Sequence, residues 1–381
     1  MAENNVLSME KTMDGTIQEN VPVISLHHVK KVFETDAGPF TALKDICIDF
    51  NQGEFIGVTG KSGSGKSTLI NMITGIDHPT QGEIRVDSIV LNQLNESEMA
   101  RWRGKNLGIV FQFYQLLPML SVFENILLPM DLSEVIPFEE REERAMYLLE
   151  TVGLEAYADK MPAELSGGQQ QTVAVARALA NNPPIVIADE PTGNLDTKTA
   201  ERVFKLFEQM KDEGKTVIMI THDPSLANRT SRQVVISDGE VIHPLLHRHM
   251  RTMAHPLLLQ GTHAMQPHTL QPGESLIKPG DPVNDLFFVE SGMLSVWVMD
   301  HKGQRKEAAR LTTGDVFGEI ELLNGLPAQA EIIPTNGTPV LLQKLDRGLF
   351  RELLDKDVTT RKNFVKLAET RLAENQALRI S

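Results

Sequence analysis

The sequence predicts an α/β domain followed by a small all-β domain, and three observations lead to that fold class. The chain has 381 residues, more than one hydrophobic core usually organises. Between residues 23 and 242, short apolar runs alternate with amphipathic stretches, as in a mostly parallel sheet covered by helices. Beyond residue 271, short strands separated by glycine turns indicate an antiparallel barrel or jelly roll.

Each predicted element has a local signal. An acidic, mainly helical stretch at 96–164 forms an insertion, and in it FEEREERAMYLLETVGL has the period of one amphipathic helix. The chain ends in a second amphipathic helix, predicted from Arg347 to Leu378. Five apolar runs predict the core strands: Phe55–Val58, Leu107–Phe111, Ile185–Ala188, Thr216–Ile220 and Val234–Ile236.

These patterns divide the chain into four segments. They are an N-terminal tail (1–22), an α/β domain (23–246), a linker with a leading helix (247–270), and a β-rich domain with its C-terminal helix (271–381). The linker region is rich in histidine, but the histidine spacing matches no closed metal site. We therefore expect a solvated linker. Residues 243–268 contain six histidines: His243, His247, His249, His255, His263 and His268.

Composition narrows the cellular setting. No apolar run approaches the roughly 20 residues that cross a bilayer, and the N-terminus lacks the features of a secretory signal. The net charge of −14 opposes binding to phosphate backbones, so no nucleic acid partner is expected. The single cysteine, Cys47, reads as a small strand residue in a reducing compartment. A cytoplasmic location is expected.

A glycine-rich loop lies between the apolar strand FIGVT and the helical run LINMIT. Such a loop lets backbone N–H groups and a helix N-terminus surround phosphates. Lys66 would reach the β- and γ-phosphate oxygens, and Ser67 would supply a hydroxyl to Mg²⁺. The sequence thus predicts binding of ATP and Mg²⁺ by a run of nine residues: Gly60, Lys61, Ser62, Gly63, Ser64, Gly65, Lys66, Ser67 and Thr68.

Polar residues at the ends of two later apolar strands complete the predicted hydrolytic site. Asp189 and Glu190 follow IVIA, where unpaired carboxylates would otherwise be costly. Asp189 is expected to hold Mg²⁺, and Glu190 to polarise the attacking water. His222 follows the strand TVIMI and would lie beside the γ-phosphate, whereas a histidine at a strand end can also be purely structural.

A second anion site is predicted at another helix start. A serine hydroxyl and glycine amides at a helix N-terminus bind anions. One chain cannot easily present this site and the glycine-rich loop to the same phosphate. The string consists of Leu165, Ser166, Gly167, Gly168 and Gln169.

The order of these motifs resembles that of ABC transporter nucleotide-binding domains over about residues 23–246. The resemblance implies a P-loop NTPase fold with a RecA-like core, a helical subdomain and an antiparallel β subdomain. It also implies that residues 165–169 close over ATP held by the partner's loop, so that two copies of the chain sandwich two ATP molecules head-to-tail.

The resemblance also assigns roles to single residues. Phe33 occupies the position whose ring stacks on adenine, with an ordinary edge-strand aromatic as the alternative. Gln112 matches the glutamine that senses Mg²⁺ and links the site to the membrane subunit. Asp196 matches the aspartate that communicates across the dimer, and His222 matches the γ-phosphate sensor.

Within the family, the sequence around Gln112 and Glu190 is similar to that of the LolD, MacB and FtsE branch. The resemblance implies an FtsX/MacB-type permease as membrane partner and a peripheral position at the inner face of the cell membrane. Two residues depart from the branch. Thr172 stands where arginine is usual, and Lys61 stands where proline is common.

The C-terminal segment resembles a cyclic-nucleotide-binding domain across about residues 271–378. Phe317, Gly318 and Glu319 match the short helix that contacts the nucleotide, but Ala328 occupies the position of the phosphate-binding arginine. Loss of that contact leaves three possibilities, namely a ligand-free scaffold, another ligand, or cyclic AMP without its arginine. A single helix after the barrel predicts no DNA recognition.

These patterns favour the ATPase subunit of an ABC transporter whose C-terminal domain is regulatory. A cytoplasmic signalling ATPase without a transport role is the alternative. A soluble ABC ATPase acting on ribosomes or in DNA repair is disfavoured, because such chains usually carry paired ATPase domains or a long coiled coil.

Overall fold

A computed structural model of the chain describes residues 9–11, 17–19, 22–193, 195–299, 301, 303–335 and 337–380. The chain forms two compact units, Met1–Val241 and Ile242–Ser381. The division falls five residues before the boundary expected after Leu246, so the histidine-rich segment belongs to the second unit.

The first unit alternates strands and helices. Its strands are β1 (Met9–Lys11), β2 (Ile17–Glu19), β3 (Pro22–Thr35), β4 (Gly38–Asn51), β5 (Phe55–Thr59), β6 (Gln81–Val86), β7 (Ile89–Val90), β8 (Leu107–Val110), β9 (Ile185–Asp189), β10 (Thr216–Ile220), β11 (Arg232–Ser237) and β12 (Glu240–Val241). Its helices are α1 (Lys66–Ile73), α2 (Glu96–Asn106), α3 (Val122–Ser133), α4 (Arg141–Val152), α5 (Gly167–Ala178), α6 (Thr197–Asp212) and α7 (Pro224–Ala227).

A six-stranded sheet in the order β12-β11-β5-β10-β9-β8 forms the centre of the first unit. Strands β8, β9, β10, β5 and β11 pair in parallel, and β12 adds an antiparallel edge. A second, antiparallel sheet has the order β4-β3-β6-β7. This arrangement confirms the predicted α/β fold with an antiparallel subdomain.

Alternate residues of the central strands enter two hydrophobic cores. Ile56 and Val58 of β5 pack towards the antiparallel sheet and α1. Phe55 packs on the other face against Phe204 and Phe207 of α6. Burial on both faces explains why the parallel strands read as continuous apolar runs.

A third core joins α3, α4 and α5 into a helical layer. Ser121 caps α3 and Ser166 caps α5, each through a capping box. Gly153 ends α4 in the left-handed conformation at φ 71°. The helical insertion predicted at 96–164 is therefore present, and α5, the helix that follows it, begins within the string 165–169.

The second unit contains strands and helices that flank them. Its strands are β13 (Gln266–Leu270), β14 (Asp285–Ser291), β15 (Met293–Met299), β16 (Arg305–Thr312), β17 (Val316–Phe317), β18 (Glu331–Pro334) and β19 (Val340–Asp346). Its helices are α8 (Pro244–His249), α9 (His255–Ala264), α10 (Glu319–Asn324), α11 (Arg347–Lys356) and α12 (Val358–Ile380).

Two antiparallel sheets build the second unit. One has the order β13-β19-β14-β17, and the other has the order β16-β15-β18. Phe288 of β14 and Leu342 and Leu345 of β19 are fully buried. The predicted all-β domain with flanking helices is thus confirmed.

The histidine-rich segment differs from a solvated linker. Leu246, Met250 and Leu258 are fully buried in it. Burial lowers the pKa of His247 to about 4, and it also lowers the pKa of His249. Helix α8 has six residues, and a proline stands at the start of both α8 and α9, which is why the pattern suggested a linker.

The C-terminal helix predicted as one element is two. Asp357 adopts an extended backbone between α11 and α12. Its carboxylate accepts hydrogen bonds from the backbone N–H groups of Thr359 and Thr360 at 2.9 and 3.3 Å. An aspartate that caps a new helix ends the old one, and the apolar period continues across the break.

A buried ion pair joins α12 to α10. Arg371 donates from Nη1 to Oε1 of Glu319 at 2.9 Å and to the Val316 carbonyl oxygen at 2.6 Å. The Glu319 side chain is 1% exposed. Burial raises the pKa of Glu319, and Arg371 opposes that rise. The pair therefore depends on Arg371 to offset the desolvation of the carboxylate.

No helix among the described residues has both the length and the apolar character that a membrane span requires.

Replacement of Arg371 by Met should destabilise the second unit by about 3 kcal/mol, because Glu319 is left as an unpaired buried carboxylate. The pKa of Glu319 in the folded state is raised, so protonation in acid favours folding and the advantage disappears as pH rises. The deficit of the variant should therefore shrink between pH 7 and pH 5. Urea unfolding monitored by Trp297 emission, in a Trp102→Phe background, measures it.

Two further variants control this prediction. Glu319→Gln combined with Arg371→Met should recover most of the lost stability, since no charge remains buried. Arg361 also lies on α12, and Arg361→Met removes its exposed pair with Asp355 of α11, so this variant should have little effect. Equal losses in Arg361→Met and Arg371→Met would contradict the role given to the buried pair.

Candidate functional site

The candidate site lies where three parallel strands end. Ile220 of β10 is paired with Val58 of β5 and with Asp189 of β9. The Ile220 carbonyl oxygen accepts from the Glu190 N–H at 3.0 Å. The Val58 carbonyl oxygen accepts from the Thr221 N–H at 3.1 Å. The residues that follow β5, β9 and β10 therefore share one edge of the sheet.

The glycine-rich loop requires its glycines. Gly60 has φ 150°, and a Cβ there would lie 2.2 Å from the Ile236 carbonyl oxygen. Gly65 has φ 107°, and a Cβ there would lie 2.7 Å from the Ala42 carbonyl oxygen. A side chain at either position would push the loop away from β4 or β11.

Lys66 is held inside the loop. Its Nζ donates to the carbonyl oxygens of Gly60 and Lys61, each at 2.9 Å. Burial lowers the pKa of Lys66, while Glu190 and Asp189 oppose that change. The side chain is therefore a partly desolvated cation whose remaining hydrogen-bonding capacity faces the cavity.

Ser67 and Asp189 meet at the base of the cavity. The Ser67 hydroxyl donates to Oδ2 of Asp189 at 3.3 Å. Burial raises the pKa of Asp189, and the Ser67 hydrogen bond lowers it in part. A hydroxyl and a carboxylate that converge in this way are the hard oxygen donors that Mg²⁺ prefers.

Glu190 is positioned from two sides. Its Oε2 accepts from the Gln112 side-chain amide at 3.2 Å and lies 3.3 Å from Nδ1 of His222. Its backbone has φ 46°, which is uncommon for a residue with a side chain. The three residues come from loops after β8, β9 and β10, so the carboxylate is fixed by tertiary contacts.

A cavity of about 570 Å³ joins these groups. Phe40 and Ala42 of β4 also contribute to the wall of the cavity, although neither residue belongs to a sequence motif. Phe33 is the direct cross-strand partner of Phe40 but is outside the cavity wall. Phe40 is 55% exposed on the edge strand β4, and the local sequence shows neither its exposure nor its edge position. The full wall is Phe40, Ala42, Gly60, Ser62, Gly63, Gly65, Lys66, Ser67, Thr68, Gln112, Asp189, Glu190 and His222.

Residues 165–169 are not part of that wall. Ser166 caps α5, and its hydroxyl accepts from the Gln169 N–H at 3.4 Å. Gly167 faces the Tyr114 hydroxyl closely, since a Cβ there would lie 2.7 Å from it. Asp196 also lies outside the wall and caps α6, where it accepts from Thr199 Oγ1 at 2.6 Å.

Arg177 ties α5 to the loop that carries Gln112. It donates to the carbonyl oxygens of Gln115 and Tyr114 at 2.6 and 3.1 Å. Thr172, which stands at an arginine position of the branch, donates to the Gly168 carbonyl oxygen at 2.8 Å. That contact stays within the helix, so α5 keeps a regular first turn.

Most candidate ligand positions of the second unit make internal contacts, but Oε2 of Glu319 is buried without a hydrogen-bond partner. Phe317 stacks on Phe287 with ring centroids 5.0 Å apart. Gly318 begins α10 at φ 93°. Glu319 is paired with Arg371, as described above. Ala328 is buried, and its N–H donates to the Asp281 carbonyl oxygen at 2.9 Å.

Comparison with known proteins agrees with this geometry. The ABC transporter family matches residues 43–193, and the cyclic nucleotide-binding domain family matches residues 267–357. An ABC transporter ATP-binding protein of Methanocaldococcus jannaschii is 44% identical over 223 residues, which cover 58% of this chain and 95% of the relative. The lipoprotein-releasing system ATP-binding protein LolD 1 of Chlorobium chlorochromatii is 41% identical over 234 residues, which cover 61% of this chain and 94% of the relative.

A solved structure is similar to the first unit. It is the dimeric, post-hydrolysis state of the M. jannaschii ATP-binding cassette bound to ADP and phosphate. The TM-score is 0.55 at 42% identity, and the match covers 58% of this chain and 97% of the other.

The glycine-rich loop, the paired carboxylates and the parallel sheet define a P-loop NTPase. With this similarity over nearly the whole length of its relatives, the chain belongs to the ATP-binding proteins of ABC transporters. It is an ATPase with LolD-like relatives, and it carries a cyclic-nucleotide-binding-type domain at its C-terminal end.

Proposed function

We propose that two copies of this chain close head-to-tail on two ATP·Mg²⁺ and drive a membrane permease of the FtsX/MacB type. One observation carries the proposal. The nucleotide cavity of one chain contains the phosphate loop, both carboxylates and His222, but none of residues 165–169. A second copy supplies the missing anion site from the start of its α5.

The residues of the cavity divide the work of hydrolysis. The amides of the loop and the Lys66 ammonium bind the β- and γ-phosphates. Glu190 polarises a water that attacks the γ-phosphorus while the bond to the β-phosphate oxygen breaks. Gln112 and His222 hold the Glu190 carboxylate from two sides, and His222 senses the γ-phosphate.

Mg²⁺ fits the oxygen donors at the cavity base. Ser67 and Asp189 are the residues that would hold it, with Gln112 beside them. When bound, the ion supplies charge neutralisation at the phosphates. Burial of Asp189 favours such a cation, because the ionised carboxylate is otherwise poorly solvated.

The remaining site residues have roles in recognition and dimer contact. Phe33 is proposed to stack on adenine, and Phe40 lies directly across from it on β4. Lys61 and Ser64 complete the phosphate loop. Asp196 caps α6 at its exposed end and is available to a partner.

Glu190→Gln should stop turnover and trap the closed dimer. The amide keeps the size of the carboxylate but cannot act as a base, so the rate should fall by roughly 10²–10⁴-fold. ATP should still bind, and a dimer should accumulate in its presence. Phosphate release and light scattering with and without ATP measure the two effects.

A matched control is Glu164→Gln, a carboxylate that pairs with Lys160 outside the cavity. This variant should hydrolyse ATP at the normal rate. Normal turnover in Glu190→Gln would show that another group is the base. A strictly monomeric chain at full rate would show that the site does not need a second copy.

A groove beside the Gln112 loop is proposed to receive the permease. The groove encloses about 620 Å³ between α2, α3, β8 and α5. Phe111, Gln115 and Arg177 line it, and they connect it to the nucleotide site. Leu132 contributes an apolar side chain that is 77% exposed. A short cytoplasmic helix of an integral membrane protein is a suitable occupant.

Leu132→Glu should therefore prevent recovery of the permease complex, because a charge in the groove opposes burial of an apolar helix. Affinity purification from detergent-solubilised membranes, with mass spectrometry of co-purified membrane proteins, measures this. Phe138→Glu is the matched control, since Phe138 is 78% exposed but lies outside the groove. Equal recovery from both variants would exclude the groove as the docking site.

The same purification separates the leading proposal from a signalling ATPase. The groove and its exposed apolar residues favour the transport role, because a signalling protein needs no such surface. Absence of any integral membrane protein in the wild-type sample would favour signalling. The relatives named LolD belong to lipoprotein-releasing systems, so release of a lipoprotein or lipid is the transport reaction that we propose to test first.

The second unit is proposed to regulate the ATPase without cyclic AMP. Ala328 offers no guanidinium to a cyclic phosphate. Arg371 holds Glu319 through Oε1, whereas Oε2 of Glu319 is buried without a hydrogen-bond partner. A regulatory unit acts by favouring the open or the closed dimer unequally.

A chain that ends at Val241 should change the ATPase rate of the permease complex by at least roughly fivefold, the lower range of allosteric coupling. The comparison is steady-state hydrolysis by complexes with the full and shortened chains. Titration of both with cyclic AMP should leave the two rates unchanged. Identical rates from the two complexes would contradict regulation by the second unit.

A further inference from the structure

The first unit carries a cluster of three donor side chains outside the nucleotide cavity. His28 is on β3, and Asp45 and Cys47 are on the neighbouring strand β4. Asp45 and Cys47 are two residues apart, so they share the face of β4 opposite the buried Ile46. All three are exposed to solvent. None of them contributes to the wall of the ATP site.

A bulge in β3 brings the imidazole to this face. Leu26 pairs with Ile48, and Val29 pairs with Ile46, so His27 and His28 together stand opposite Cys47. His28 itself has φ 51°, in the left-handed region. The extra residue rotates the His28 side chain towards β4, which is the usual effect of a bulge.

The neighbouring strand β6 accommodates the bulge with a glycine. A Cβ at Gly82 would lie 2.3 Å from the His28 carbonyl oxygen. The backbone of β6 can approach the bulge only because Gly82 has no side chain. The position of His28 is thus built into three strands, and is not a property of a loose loop.

The donor atoms lie close to one another. Nδ1 of His28 is 3.0 Å from Oδ1 of Asp45 and 3.5 Å from Sγ of Cys47. All three donor atoms lie within 4.8 Å of one another. Ligand atoms around a tetrahedral Zn²⁺ are about 3.3–3.6 Å apart, given its bond lengths to sulfur, nitrogen and oxygen. The existing separations therefore need only small side-chain movements to match.

Burial raises the pKa of the Cys47 thiol, as do the Asp45 and Asp49 carboxylates, and the His28 backbone N–H opposes that rise. The His28 N–H donates to Sγ of Cys47 at 3.3 Å. An N–H···S contact stabilises negative charge on sulfur, and sulfur binds a metal in its thiolate form. Imidazole, carboxylate and thiolate are also the three side-chain ligands that Zn²⁺ uses.

The contribution of this cluster to the stability of the fold does not explain why His28, Asp45 and Cys47 lie together. The His28 and Asp45 side chains are 78% and 64% exposed, and exposed ion pairs contribute only about 0–1 kcal/mol. A left-handed backbone at a residue with a side chain costs about 1–2 kcal/mol. The contact between His28 and Asp45 therefore does not offset the strain of the bulge that creates it.

We propose that His28, Asp45 and Cys47 bind a Zn²⁺-type divalent cation through Nδ1, Oδ1 and Sγ. The fourth position of the tetrahedron is open to water. Binding releases the thiol proton of Cys47 and ties β3 to β4. Strand β4 also supplies Phe40 and Ala42 to the nucleotide cavity, so the cation would stiffen one wall of the ATP site.

Titration of the reduced, nucleotide-free full chain with Co²⁺ tests the proposal. Cys47 is the single cysteine of the sequence, so any thiolate-to-Co²⁺ charge-transfer absorption must arise from it. One equivalent of Co²⁺ per chain should saturate this band. Zn²⁺ should then abolish the band, because it binds such ligand sets more tightly than Co²⁺.

Two variants separate the cluster from a thiol that acts alone. His28→Asn removes the imidazole but keeps a residue that tolerates the left-handed backbone. Asp45→Asn removes the carboxylate without changing its size. Each should weaken Co²⁺ binding at least roughly tenfold. His27→Asn, at the adjacent exposed histidine, is the matched control and should leave the affinity unchanged.

Three results would overturn the proposal. The first is the absence of a charge-transfer band in the wild-type chain. The second is a band that His28→Asn and Asp45→Asn leave unchanged. The third is saturation at one Co²⁺ per two chains. The last would mean that Cys47 residues of two copies share the metal. Circular dichroism of each variant shows whether the strands remain folded, and a folded His28→Asn chain that keeps full affinity counts against the site.

Discussion

The parallel pairing of β5, β10 and β9 is the constraint on which the nucleotide site depends. It places the ends of the three strands at one edge of the sheet, and the loops that leave them carry Lys66, Asp189, Glu190 and His222. A one-residue shift in any strand would move a charged group from this edge into a buried core. The continuous burial of the strands on both faces therefore sets the geometry of catalysis as well as the stability of the fold.

Burial also explains the electrostatics of the site. The pKa of Lys66 is lowered and that of Asp189 is raised for the same reason, because both charged forms lose solvent. Phosphates beside Lys66 and a divalent cation beside Asp189 would supply the missing counter-charges. Both groups therefore lack counter-charges in the cavity of a single chain, and residues 165–169 lie outside the wall of that cavity.

In the second unit, the buried carboxylate of Glu319 is paired within the same unit. The residues of the short α10 would face a ligand in a domain of this type, but here α12 supplies Arg371 to Glu319. Ala328 is buried and engaged through its backbone. The fold of a ligand-binding domain is kept, while one oxygen of the carboxylate that a ligand would meet is already paired with Arg371.

The local sequence was sufficient for the phosphate loop, the strand-end carboxylates and the fold class, because each is specified by residues adjacent in the chain. It also predicted the two-domain organisation through the change from helical to strand periods. Phe40, Arg177 and Arg371 were beyond its reach. Arg177 and Arg371 contact residues 52 to 63 positions away, and Phe40 meets the cavity only through the fold. The break at Asp357 was missed because the apolar period continues across it. The cluster of His28, Asp45 and Cys47 exists only through the bulge in β3, and tertiary structure alone decides where a bulge turns a side chain.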